Sequence, residues 1–163
     1  MLDHVGIPVS DFMRSKGFYL KVLAPLGYGL VLEVASEETG GNSHAGFGAK
    51  GKPQFWIGSG KPIKGQVHFA FVARTRAAVQ AFHKAALDAG GRDNGAPGLR
   101  PHYHENYYGA FVWTRTATIS RRSAILPSRA GAKIEGRRRV SRSPASNKQS
   151  ERRYRKVWSA ALP

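Results

Sequence analysis

Two stretches of the chain repeat one another at a constant offset of 64 residues. The first, LDHVGIPVSDFMRSKGFYLKVLAPLG, covers residues 2–27, and the second, QVHFAFVARTRAAVQAFHKAALDAGG, covers residues 66–91. Without a gap, His4 aligns with His68, Phe18 with Phe82, Leu23 with Leu87 and Gly27 with Gly91. Such a repeat restricts the chain to a duplicated unit, in which two copies together bury faces that neither buries alone.

Each copy opens on a strand pattern. Val5 and Ile7 alternate with His4 and Gly6; Phe69 and Phe71 alternate with His68, Ala70 and Val72. Side chains alternate faces along a strand, so each histidine faces away from its larger apolar neighbours. A helix follows in each copy. Ser10 or Asp11 can cap the first and Thr75 the second. Phe12, Tyr19 and Val22 or Leu23 make one apolar stripe, and Val79, Phe82 and Ala86 the other. Gly27 and the Gly90-Gly91 pair suit helix ends, because glycine accepts the left-handed conformation. After the first helix, Tyr28 to Val34, His44 to Phe47 and Gln54 to Gly58 read as strands separated by turns. After the second come a Gly/Pro-rich loop and a strand over Asn106 to Val112. The order β-α-β-β-β is completed once, begins again, and breaks off at Trp113.

Charge changes at the same point. The chain carries a net +16. From Trp113 onward there are 14 basic and 2 acidic residues, a net +12; from Met1 to Val112 there are 12 and 8, a net +4. Basic excess of this size ordinarily signals nucleic acid, but here it belongs to the tail alone. The absence of cysteine excludes a disulfide framework and a thiolate metal site. No run is apolar enough to span a bilayer. The opening Met1-Leu2-Asp3-His4 lacks the basic-then-apolar pattern of a secretion signal, so a cytoplasmic protein without membrane attachment is expected.

LDHVGIPVSD with GFYLKVLAPLGY, GQVHFAFVARTRAAVQAFHKAALDAGG, and GLRPHYHENYYGAFV together resemble the vicinal oxygen chelate superfamily, the glyoxalase, bleomycin-resistance and extradiol-dioxygenase relatives. The resemblance covers Met1 to Val112. It implies an α+β fold of paired βαβββ modules, about 1–60 and 64–112, forming a curved mixed sheet around a cup, with the last strand missing or replaced. It also implies a homodimer in the intact form.

In such proteins GAFV leads into DPDG and a strand ending in a metal-binding glutamate. Here GAFV is followed by WTRTATISRRSAILP. Trp113 is encoded TGG and the Thr114 codon begins AC, so reading across their boundary gives GAC, aspartate. Permitted synonymous codons continue in that frame as Asp-Pro-Asp-Gly-His-Asn-Ile-Glu-Ala-Val-Cys-His. The loss of one base before codon 113 therefore accounts for a basic, out-of-frame and largely disordered tail over 113–163.

The resemblance places metal ligands at His4 and His68. The fourth-strand position of the first half falls on Trp56, where some relatives carry a carboxylate. The last position is the alternate-frame glutamate, spelled across the codons of Ser120 and Arg121. The intact form then has two histidines and one carboxylate, a set suited to Fe(II) and able to hold Mn, Zn or Ni. A divalent ion there chelates vicinal oxygens of a small substrate. The chain as written lacks the anion, so weak or absent metal binding is expected. His4 and His68 also suit a plain cup wall, and Trp56 plain packing. Trp56 and Tyr107 are candidate pocket residues. Tyr103 and His104 are candidate acids or bases, or simply part of a loop before an edge strand.

Three functions remain in view. The first is a metal-dependent lyase or dioxygenase by descent, inactive if the missing ligand is essential. The second is a metal-free protein that sequesters a small ligand, as bleomycin-resistance proteins do. The third is a nucleic-acid binder, which rests on the tail alone and is not the expected one.

Overall fold

The computed structural model describes residues 2–65, 67–103 and 105–114 and the backbone of 122–126. The first half runs β1 (Val5–Val9), α1 (Phe12–Leu23), β2 (Gly29–Val34), the single helical turn α2 (Ser36–Thr39), β3 (His44–Ala49) and β4 (Lys52–Ser59). Its strands form one sheet in the order β1-β4-β3-β2. β1 and β4 are parallel, with Val5 opposite Phe55 and Ile7 opposite Ile57. The other pairs are antiparallel.

Local chemistry explains these elements. The Asp11 side chain accepts the Arg14 N–H at 3.0 Å and caps α1. A 3-10 turn over Ala24–Leu26 follows, and Gly27 closes it with φ +80. β3 and β4 are joined by Lys50-Gly51, both at positive φ. That suits a two-residue hairpin, since positive φ at both loop positions matches the twist of the flanking strands.

The second half repeats the plan with β5 (His68–Val72) and α3 (Arg76–Asp88). Thr75 Oγ1 accepts the Ala78 N–H at 3.1 Å, so the expected cap is present. Two helix-side stripes meet in one core: Phe18, Tyr19, Val22 and Leu23 of α1 with Val79, Phe82 and Ala86 of α3. Ile7, Val9, Phe47, Phe55 and Ile57 add the sheet face. Tyr19 meets Phe55 edge-on, centroids 4.8 Å apart.

Beyond α3 the strands are short: β6 (Arg92–Asp93), β7 (Gly98–Leu99), β8 (Tyr108–Gly109) and β9 (Val112–Trp113). The expected strand over Asn106 to Val112 is thus two pieces. Its partner changes along its length. Tyr108–Gly109 pair with β7, Phe111 exchanges hydrogen bonds with Asn94 and Gly95, and Val112–Trp113 pair with β6.

A further strand is present beyond residue 121. It is β10 (Arg122–Leu126), parallel to β5 with His68 opposite residue 122, and antiparallel to β9. Backbone hydrogen bonding does not read side chains, so an available segment can cover the otherwise open edge of β5. Residues 115–121 and 127–163 lie outside the described residues, as do Gln66 and His104. Among the described residues no helix is long and apolar enough to cross a membrane.

Candidate functional site on the face away from the helices

Two rows of side chains cross the first sheet on the face away from the helices. Register puts Leu32, Gly46, Trp56 and Gly6 in one row, and Val34, His44, Gly58 and Pro8 in the next. Leu32, Val34 and Trp56 form a cluster separate from the main core. Two glycines make room for two rings. A methyl group added at Gly46 would stand 2.8 Å from Cε2 and Cζ2 of the Trp56 indole. One added at Gly58 would stand 2.7 Å from His44 Nδ1. Trp56 is 1 % exposed and His44 8 %. Burial pushes the His44 imidazole below its usual range, because the charged form loses its hydration.

His4 stands immediately before β1 and His68 opens β5, so the two hold equivalent places in the two halves. His4 Nδ1 lies 3.0 Å from Asp3 Oδ2. Lys52 of β4 also donates to Asp3. Lys52 first and His4 second hold the Asp3 carboxyl below its ordinary range. The neighbouring carboxylate of His4 is therefore already engaged. His68 is exposed on the same strand face as Ala70 and Val72.

Tyr103, Tyr107 and their neighbours form a second group. Tyr107 is buried and its ring lies 5.1 Å from that of the exposed Tyr103, which lies 4.3 Å from His102. Burial, then Tyr103, raises the Tyr107 phenol above its usual value, with Arg100 opposing. Arg100 also covers the Phe111 ring at 5.5 Å and donates to the carbonyls of Ala96 and Leu99. The two candidate pocket residues thus belong to different groups, Trp56 with Leu32 and Val34, Tyr107 with Tyr103. The candidate His104 lies outside the described residues, as do Ser120 and Arg121, where the expected glutamate would be spelled.

A metal centre needs more than two imidazoles. Among the described residues no group of three or more His, Cys, Asp or Glu is arranged to hold an ion. The β4 position that would supply a ligand carries an indole lying over glycine, which offers no lone pair to a cation. The described side chains therefore do not make a complete site for a divalent ion.

A model of the Glyoxalase/Bleomycin resistance protein/Dioxygenase superfamily matches residues 1–112. The chain belongs to that superfamily. Solved structures agree in fold with this glyoxalase-superfamily chain. One is a glyoxalase/bleomycin resistance protein from Albidiferax ferrireducens T118, 24 % identical, TM-score 0.61, covering 78 % of this chain and 98 % of its own. Glyoxalase I from Zea mays is 19 % identical with TM-score 0.57, covering 77 % of this chain and 45 % of its own. The fosfomycin resistance protein FosX from Listeria monocytogenes is 11 % identical with TM-score 0.56, covering 83 % and 98 %. No curated protein matches.

Sequence reasoning missed His44 and Asp3. Nothing in the repeat marks His44, whose importance follows from cross-strand register. Asp3 adjoins His4 in the sequence, and that adjacency was the available signal.

Proposed function

We propose that this chain is a glyoxalase/dioxygenase-like, metal-dependent enzyme by descent, which bound a small substrate through vicinal oxygens on a divalent ion. The observation that carries it is the equivalence of His4 and His68, one imidazole at the opening of the first strand in each half. In the intact form a carboxylate from the final strand would join them and neutralise part of the ion's charge. Fe, Mn, Zn or Ni suits that set. Residues 1–112 form the superfamily domain, and 113–163 are an out-of-frame tail. The intact protein is a cytoplasmic homodimer, and the translated chain binds metal weakly or not at all.

The test begins with the nucleotide sequence at codon 113. With the frame restored, the purified protein should hold a stoichiometric divalent ion and lose it in both His4→Ala and His68→Ala. An intact reading frame in the gene, with no base missing, would sink the frameshift; metal retained in both variants would sink the ligand assignment.

A second reading is favoured by Trp56. An indole buried over Gly46, where relatives can carry a carboxylate, suits a protein that sequesters a small ligand without metal. A restored protein that binds a small ligand but no metal, and is indifferent to His4→Ala, would establish this reading over the first.

A further inference from the structure

An apolar cavity of about 180 Å³ lies between the two halves. It is bordered chiefly by helix-side residues of β1, β4 and β5: Val5, Phe55, Phe69 and Phe71, with Leu23 from α1 and Gln54 at its polar margin. These strand residues alternate with those of the candidate site, whereas Gln54, Ala70 and Val72, which also border the space, have the strand parity of Trp56 and His68 and form its exposed rim. Phe55 and Leu23 are buried, whereas Val5, Phe69 and Phe71 are only partly so. The partly buried residues are the route by which a small molecule could reach the space.

Size, shape and charge together define what fits. An enclosed cavity of roughly 150 Å³ lined by aliphatic and phenyl groups takes up a benzene; the space here has room for one such ring but is open to solvent beside Gln54 and Val72. Phe55 meets Phe71 at 5.2 Å and 85°, and Phe69 at 5.9 Å and 67°. Rings already held edge to face offer the same geometry to one more ring. None of the described lining residues is charged. A carboxylate or ammonium entering the space would lose hydration without gaining an oppositely charged partner among the described residues. The amide of Gln54 supplies both a donor and an acceptor.

We propose that the junction of β1, β4 and β5 is a binding site for a neutral one-ring aromatic molecule, with a hydroxyl accommodated at Gln54. It is independent of the metal-site reading, since none of His4, His68 and Trp56 borders it.

The test uses the full chain with carbon-13 at its methyl groups, titrated with toluene, phenol and benzoate. A bound ring shifts the methyl resonances of Val5 and Leu23. Saturable shifts are expected for toluene and phenol, and binding at least tenfold weaker for benzoate. Val5→Phe should fill the space and weaken toluene at least tenfold. Should that variant fail to fold, Gln54→Leu decides: phenol should lose affinity severalfold while toluene does not. Shifts that rise linearly to the solubility limit, equal response to benzoate, undiminished toluene binding in a folded Val5→Phe protein, or an unchanged phenol-to-toluene ratio in Gln54→Leu would each overturn the proposal.

Discussion

The His44 imidazole lies across Gly58 on the neighbouring strand, so close that a methyl group there would stand 2.7 Å from Nδ1. The neighbouring row repeats the arrangement with Trp56 across Gly46, and Gly48 is tighter still: a methyl there would stand 1.9 Å from the Lys52 carbonyl oxygen. A ring can tilt away from an added methyl group, whereas a hairpin carbonyl can move only with its strand. Alanine should therefore cost about 1–2 kcal/mol at position 58, more at 46, and about 3 kcal/mol at 48, in the range of overpacking penalties. Urea unfolding of the three variants measures this. Gly48→Ala proving the mildest of them would show the register of β3 and β4 to be wrong.

His44 also gives the fold an acid sensitivity. Burial depresses its folded pKa below the ordinary value of 6.5, so the unfolded chain binds the proton more readily. Its contribution is present above pH 6.5 and is lost as pH falls from there through the lower folded value. His44→Gln keeps a polar planar side chain without that titration. The stability of the wild type should decline relative to this variant as pH falls below the ordinary histidine value of 6.5, and curves that stay parallel below it would refute the assignment.

The helix starts were legible because capping is local. Asp11 and Thr75 each sit three residues before the backbone N–H they accept; sequence spacing identifies Thr75 and narrows the first cap to Ser10 or Asp11, between which the structure selects Asp11. Asp11→Ala and Thr75→Ala should each cost about 1 kcal/mol, the usual worth of an N-cap. Thermal or chemical denaturation reads this directly; a loss below a few tenths of a kcal/mol in both would mean that tertiary packing alone sets these termini.

The repeat was legible for the same kind of reason. Its period survives in residues that face one core, Phe18 with Phe82 among them, and their burial requires no knowledge of the intervening chain. The second face was not legible. Whether His44 lies against Gly58 or elsewhere depends on strand register, and a slip of one residue reverses every face. Trp56 could be placed on its strand from sequence, yet its packing on Gly46 could not. The division of 106–112 into two short strands was hidden as well, since it follows from a change of partner at Phe111. The substitute strand over 122–126 escaped because backbone pairing leaves almost no signature in a segment's own residues.

A last expectation concerns the tie between α3 and β6. His83 of α3 is buried, and its Nε2 lies 2.8 Å from Asp93 Oδ1. The Gly95 N–H donates to the same oxygen at 3.1 Å. His83 first, then the Gly95 N–H, hold the Asp93 carboxyl below its ordinary value of 3.8. A depressed carboxylate contributes stability above its unfolded pKa and loses it as pH falls through the folded one. The window is therefore below about pH 4, well separated from that of His44. Asp93→Asn should destabilise the protein near neutral pH by removing the charged acceptor, and the deficit should shrink as the wild type is acidified through that window. Because Asp93 is more than half exposed, with a side chain 54 % accessible, solvent screens the pair and the effect should be modest. Measuring both proteins by denaturant unfolding from pH 6 to pH 2.5 decides the matter, and a difference that stays constant to the acid limit would mean that the carboxylate's charge is irrelevant to this tie.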